Sequence, residues 1–551
     1  VIELWAPYAA SVLLDALGSR TPMLPGDGGW WRAAEPLPPG TDYGFVLDGS
    51  DDVLPDPRSP WQPSGVHGRS RTVDHGSFAW HDAGWTPPPL RDAVVYELHV
   101  GTFTPEGTFD AAVERLPHLV ALGVTMVELL PVNAFPGRHG WGYDGVGLWA
   151  PHDPYGGPDG LKRLVDACHA AGLGVLLDVV YNHLGPSGNY LGRFGPYFTE
   201  RYRTPWGPAV NYDDAGSDEV REFVVGNALM WVRDYHVDGL RLDAVHAIYD
   251  QSAVHLLEEL TARVPAYVVA ESDLNDPRVV TPRDRNGLGC DAQWSDDFHH
   301  ALHAALTGER DGYYADFGPL ACIAQALDGV FVYDGRHSAY RGRRHGRPVG
   351  DLPRTAFLGY LQDHDQVGNR ALGERSAHLL SPALLKVAAA LVLTAPFVPM
   401  LFMGEEWGAS TPWQYFTDHD DPALADAVRK GRREEFRGFA WDDVPDPQDP
   451  ATFERSRLRW AEVAEPRHAE LLDWHRRLIA LRREVLTDSW LAHTTIDEEA
   501  RTLVVERGDV VVLANLSGEP RTFGVAGEVL LASAAYDGGV LPGESVAILR
   551  R

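Results

Sequence analysis

The fragment VDGLRLDAVHAI sets Arg241 and Asp243 two positions apart in an apolar run. Alternation along a strand puts both side chains on one face. There the guanidinium would lower the pKa of the carboxyl and hold it ionised, the form a carboxylate nucleophile needs. A structural ion pair at a strand end has the same pattern, so the fragment gains its meaning from its companions. YVVAESD ends a strongly apolar strand on Glu271, where partial desolvation would keep the carboxyl protonated as a general acid. LQDHDQVGN places His364 and Asp365 just beyond another strand, and DVVYNH places Asp178, Asn182 and His183 at the end of one more. Acids and histidines that reach one rim from four separate strands are how barrel enzymes assemble their sites.

Such a rim needs parallel strands, and from Ala93 onward short apolar runs alternate with helical segments. Eight strands are predicted: VVYELHV at 94–100, TMVELLPV at 125–132, GVLLDVVYN at 174–182, GLRLDAV at 239–245, YVVAE at 267–271, DAQW at 291–294, FLGYLQD at 357–363 and FVPMLFMG at 397–404. Between them FDAAVERLPHLVAL, LKRLVDACHAAG and DEVREFVVGNALMWVRDY carry apolar residues at helical spacing. The fold class is therefore α/β, a (β/α)₈ TIM barrel over 89–484, with a doubly wound open sheet as the competing topology. Long loops at 184–217, 329–352 and 405–459 fall on the strand ends where barrels put their sites. Residues 1–88, with short extended runs between PGDGG and PLPPG, read as a β-sandwich. The proline run in GWTPPPLRD, at 84–92, reads as a stiff connection, and 485–551 as an antiparallel β domain.

Composition narrows the partners. A formal net charge of -30 in 551 residues argues against nucleic acid, which needs clustered Lys and Arg. The apolar stretch Leu384 to Met403 carries Lys386 and breaks at Pro396 and Pro399, so it reads as a buried helix and strand rather than a membrane span. Three cysteines, Cys168, Cys290 and Cys322, cannot build a disulfide framework and lack metal-ligand spacing; with no signal-like opening, a cytoplasmic location is expected. No cofactor and no metal are expected either, because no cluster of Asp and carbonyl-rich turns supplies the six to eight oxygens of a calcium site. The 17 tryptophans suit sugar stacking as well as core packing.

These blocks, in this order, resemble the four signature regions of the α-amylase family of glycoside hydrolases. The resemblance runs from about Val94 to the C-terminus. It implies Asp243 as nucleophile, Glu271 as acid/base and Asp365 as the acid that stabilises the transition state. His183, Arg241 and His364 would contact the sugar on the non-reducing side of the cleaved bond, with Tyr143 stacking on it. A retaining mechanism follows, with the two carboxyl groups about 5 to 5.5 Å apart.

Longer strings, among them YELHVGTFTPEGTF, DAQWSDDFHHALHAALTGERDGYY and FMGEEWGASTPWQYFTDH, look like the trehalose-releasing branch of that family. The implied substrate is an α-glucan oligosaccharide ending in trehalose (maltooligosyltrehalose). Branching and debranching enzymes, and a noncatalytic carbohydrate-binding protein, are the competing readings. Trp206, Asp273, Asn275, Tyr340, Arg341 and Trp413 are the product-side candidates, while Glu405 and Glu406 are expected to cap a helix or brace a loop. One position departs from the family pattern: Asp363 stands where Asn is usual, and its charge beside Asp365 should raise one of the two pKa values.

Overall fold

A computed structural model of the chain describes residues 1–435, 444–486, 490–537 and 539–551. Eight parallel strands close into a barrel: β1 (Val95–Leu98), β2 (Met126–Leu129), β3 (Gly174–Val179), β4 (Gly239–Leu242), β5 (Tyr267–Ala270), β6 (Ala292–Trp294), β7 (Phe357–Gly359) and β8 (Val398–Phe402). β8 pairs with β1, so the sheet has no free edge and the open-sheet alternative falls away. The strands lie within the eight predicted runs. Leu384 to Met403 divides as expected, into the last part of helix Pro382–Thr394 followed by β8. Among the described residues no helix is long and apolar enough to cross a membrane. The helix predicted as one over FDAAVERLPHLVAL is two, Phe109–Val113 and Leu116–Leu122, because Pro117 lacks the N–H that would continue the first.

The barrel interior changes character from bottom to top. Val95, Met126, Leu176, Val269, Leu358, Val398 and Met400 form an apolar lower core. Two residues further along, on the same inward face, come Glu97, Glu128, Asp178, Arg241 and Glu271. Asp243 and Glu271 lie one residue past the ends of β4 and β5. The strands thus supply rigidity from an apolar base and deliver charge only at their C-terminal ends.

Two small antiparallel sheets precede the barrel. One orders Ser19–Pro22, Val12–Ala16, Asp42–Leu47 and Ser70–Arg71; the other orders Glu3–Trp5, Trp30–Arg32 and Leu24–Pro25. They pack on the first long loop, with Trp5 against Tyr197 and Phe45 against Phe194. That loop contains a hairpin, Phe198–Thr204 with Gly207–Val210, and the second loop another, Asp334–Ser338 with Arg343–Gly346. The third contains helix Pro422–Glu435 and helix Pro450–Arg455, and its residues 436–443 lie outside the described residues.

After the barrel a five-stranded antiparallel sheet orders His493–Asp497, Thr502–Arg507, Val510–Asn515, Ser545–Arg550 and Glu528–Ala532. Two buried arginines tie it to the barrel. Arg482, on helix Pro466–Val485, and Arg507 both donate to carbonyls at the C-terminal end of helix Pro382–Thr394, sharing the Ala395 oxygen at 2.9 Å each. These satisfy carbonyls that the helix itself leaves without donors.

The proline-rich connection is a strap pinned beneath the barrel. Trp85 donates from Nε1 to Asp238 (2.8 Å), and Tyr267 donates its hydroxyl to the Pro88 carbonyl (3.2 Å). Asp82 takes Nδ1 of His169 (3.0 Å) and of His236 (2.7 Å). The indole of Trp85 stacks on His169, and that of Trp80 on His236.

Candidate active site

Arg241 organises the rim. It is fully buried, with its guanidinium 4.3 Å from the centre of the Trp294 ring, which fixes its plane. One terminal nitrogen donates to Asp178 (2.7 Å) and Asp243 (3.0 Å), the other to Glu271 (2.7 Å). One positive charge therefore faces three carboxyls, and not all three can stay ionised in a buried space.

The surroundings decide which do. Burial alone would raise the pKa of Asp243, but Arg241, His183 and the Asn182 hydrogen bond outweigh it and hold the group below its ordinary value. Both of its oxygens are engaged, Oδ1 by Arg241 and Oδ2 by Asn182 Nδ2 at 2.7 Å. Glu271 goes the other way. Burial foremost, with the charges of Asp243, Asp365 and Asp296, raises it well above a normal glutamate despite Arg241. Its Oε2 accepts both Arg241 and the Ala244 amide (2.9 Å), which leaves Oε1 to carry a proton. Burial pushes Asp178 up to about 6 against the pull of Arg241. Ala244, between the two acids' strands, holds φ +39°, a strained left-handed conformation for a residue with a Cβ.

His364 is oriented by a residue that sequence reasoning missed. Glu97, the inward side chain at the top of β1, accepts from His364 Nδ1 (2.5 Å) and from its backbone N–H (3.1 Å). Burial works against the imidazolium, but Asp365 and Glu97 raise its pKa well above the usual histidine. With both nitrogens protonated, Nε2 donates to the Tyr143 hydroxyl (2.8 Å), and that hydroxyl donates to Asp178 (2.6 Å). Tyr143 lies parallel to the imidazole, with ring centres 5.1 Å apart. A lone glutamate in VVYELHV, at an inward position of an otherwise apolar strand, was the available signal for Glu97.

Asp365 stands more open than the other acids, 38% exposed at its side chain, and accepts from Asn369 Nδ2 at 3.3 Å. Asp363 is buried and caps the short helix His364–Gly368. Its Oδ1 accepts the amides of Asp365 (2.8 Å) and Gln366 (3.3 Å), and Gln366 reaches back to its amide. Capping is work that Asn and Asp do equally well. The expected pKa conflict resolves on Asp363 itself, raised well above a normal aspartate, by burial first and then by Glu97. Its Oδ2 is buried without a hydrogen-bond partner among the described residues.

A cavity of about 280 Å³ opens beside Glu271 and Asp365 and is lined also by Asp273, Asp296, Tyr313, Tyr340 and Arg341. Arg341, at the tip of the second-loop hairpin, forms a two-pronged pair with Asp273, and Tyr340 beside it is half exposed. Trp206 is exposed on one face and lies flat on His183, ring centres 4.3 Å apart. Two product-side expectations are corrected. Trp413 is completely buried, stacked on Trp141 with its Nε1 donating to Thr102, so it fills core beneath the rim. Asn275 is buried too, its amide donating to Asp297, and it braces the loop after β5 rather than facing the cavity. Glu406 is buried, accepting from Tyr96 and His118, which is the bracing role expected of the acid pair. Asn182 spends its amide on Asp243 and points Oδ1 at His183 Nδ1 (2.5 Å). A larger hollow, about 1160 Å³, lies at the opposite end of the barrel between the strap and the starts of β4 to β6, remote from these acids.

A parallel eight-stranded barrel whose rim gathers an arginine-bridged Asp and Glu is the fold and site of an α-amylase-type glycoside hydrolase. Residues 72–204 match the family model described as alpha amylase, catalytic domain, and residues 489–548 one described as a domain of unknown function. The chain is 51% identical to a malto-oligosyltrehalose trehalohydrolase of Rhizobium sp. (strain M-11), over 100% of this chain and 97% of that one. It is 48% identical to one from Saccharolobus solfataricus, over 88% and 85%. A crystal structure of a Salmonella typhimurium protein described as an alpha amylase superposes with a TM-score of 0.94 at 39% identity, covering 100% of this chain and 97% of that one. The chain belongs to the malto-oligosyltrehalose trehalohydrolases, glycoside hydrolases of the α-amylase family.

Proposed function

We propose that the protein hydrolyses the α-1,4-glucosidic bond joining a malto-oligosaccharide to its terminal trehalose, with retention, and so releases trehalose. The observation that carries the reading is the Arg241 bridge. A single guanidinium that bonds both Asp243 and Glu271 keeps them close, which favours the ~5–5.5 Å separation of retaining pairs over the ~6.5–9.5 Å of inverting ones. The names of the relatives support the substrate.

Glu271, protonated on Oε1, gives its proton to the glycosidic oxygen while ionised Asp243 attacks the anomeric carbon. The Glu271 carboxylate then takes a proton from water as the glycosyl ester is hydrolysed. Asp365 stabilises the positive charge that develops on the ring. Tyr143 supplies the stacking face for that sugar, and His183, His364 and Arg241 surround it. Tyr340, Arg341 and Asp273 receive the departing trehalose, while Trp206, stacked on His183, stands outside that cavity. Three free, buried cysteines support a reducing compartment such as the cytoplasm.

Incubation with malto-oligosyltrehalose should give trehalose and a shortened malto-oligosaccharide of retained configuration. New branch points, or release from glycogen instead, would reject the reading in favour of a branching or debranching enzyme; a branching enzyme of Corynebacterium jeikeium is 29% identical over 75% of this chain. Asp243→Ala should cut turnover on the order of 10⁴-fold or more.

A further inference from the structure

Asp296 is the first residue of helix Asp296–Thr307, two residues past the end of β6, so it stands on the rim of the barrel. It lines the same cavity as Glu271 and Asp365. Its Oδ1 accepts the hydroxyl of Tyr360 at 2.5 Å, which fixes the carboxyl plane. No protein donor is assigned to Oδ2 among the described residues. None of His183, His364, Tyr143 and Arg241, which surround the opposite sugar, lines this cavity, whereas Asp273, Tyr340 and Arg341 do. Asp296 therefore shares one cavity beside Glu271 with the three candidates for the departing sugar.

The geometry points to Asp296 as a specificity residue that grips a hydroxyl of the departing sugar and so holds the glycosidic oxygen against the Glu271 proton. A fixed carboxylate with one free oxygen is a strong acceptor for a sugar hydroxyl, and its grip is lost with a leaving group that has none. Its charge has a second effect. Glu271 is faced by Arg241 and Asp243 from β4, Asp365 from the turn after β7 and Asp296 after β6, and the three acids all favour its protonated form. Asp296 in turn faces Tyr360, Asp273, Asp297 and Asp365; desolvation first, then those acids, push it up to about 7 against the Tyr360 hydrogen bond. The inference rests on the reading of Glu271 as the acid.

The test compares two substrates. Malto-oligosyltrehalose needs both a protonated leaving group and a sugar subsite; α-maltosyl fluoride needs neither. Asp296→Ala should lose about 10- to 100-fold in kcat/KM on the first, the worth of one hydrogen bond to a charged group, and stay within about threefold on the second. Equal loss on both, or loss on neither, overturns the inference. Asp296→Asn keeps the size and the Tyr360 hydrogen bond, so it guards against a folding defect. It should move the alkaline limb of kcat/KM to lower pH, because Glu271 loses a neighbouring negative charge; an unmoved limb removes the electrostatic part. Glu271→Gln run alongside should lose the glycoside and keep the fluoride, and failure there would overturn the acid assignment instead.

Discussion

Asp363 shows how one side chain can be read from its bonds. An ionised carboxylate at that position would bury a charge with one oxygen unpartnered, beside Glu97 and near Asp365 and Asp296. Protonated, it offers one carbonyl oxygen and one hydroxyl in the outline of an asparagine, and the cap survives unchanged. A carboxyl whose folded pKa is raised binds its proton more tightly in the native state, so its contribution is whole below the ordinary value near 4 and is lost as pH rises toward the folded value. Asp363→Asn should therefore raise Tm at pH 8 and leave it unchanged at pH 4. Thermal unfolding at the two pH values checks this, and a gain of equal size at both would point to something other than the proton. Removal of Glu97 makes a second residue-scale case. Glu97→Gln keeps the acceptor for the His364 amide but loses the charge that holds the imidazolium; kcat should fall about 10- to 100-fold, and the alkaline limb of the pH profile should move to lower pH.

At the scale of elements, strap and strands contrast in how they were legible. The eight strands stood out because a strand buried on both faces is a short apolar run bounded by turns, and their order followed from alternation with helices. That Asp243, Glu271 and His364 meet at one rim was legible because a charge at the end of such a run has few reasons to be there. Trp413 and Asn275 were misread because residue type reports stacking or hydrogen-bonding capacity and not which side of a loop a side chain takes. Asp296 escaped because SDD before an apolar helix also reads as acids favoured at a helix N-terminus. The strap hid for another reason: three prolines signal stiffness, while its anchors, Asp82 and Trp85, meet partners far off in the chain. Its stability should depend on pH. Asp82 has a lowered pKa, its hydrogen bonds to His236 and His169 overcoming burial, so its share is present above about 3.8 and lost as pH falls through the folded value. His169 has a raised pKa, Asp238 and Asp82 overcoming burial, so its share is present below about 6.5 and lost as pH rises through the folded value. Asp82→Ala should cost about 1–3 kcal/mol, most of it between those limits, as denaturant titrations across pH would reveal.

For the whole molecule, the buried arginines make the C-terminal sheet part of the barrel's own stability. Arg507 comes from that sheet and Arg482 from the helix before it, yet both serve the end of one barrel helix. Arg507→Met should cost about 2–4 kcal/mol by taking the arginine from the Thr394 carbonyl and leaving Ala395 to Arg482 alone, and chemical denaturation should still show a single transition. Two separate transitions would mean that the sheet melts by itself. The strap bears on how such proteins can be recombined. The amylase-type family model takes hold at residue 72, ahead of the prolines, and the side chains of Asp82 and Trp85 are already committed to the underside. A chimera that grafts another β-sandwich onto this barrel should be spliced before that point, because a junction at the prolines would hand the recipient a foreign tail where its own keel belongs.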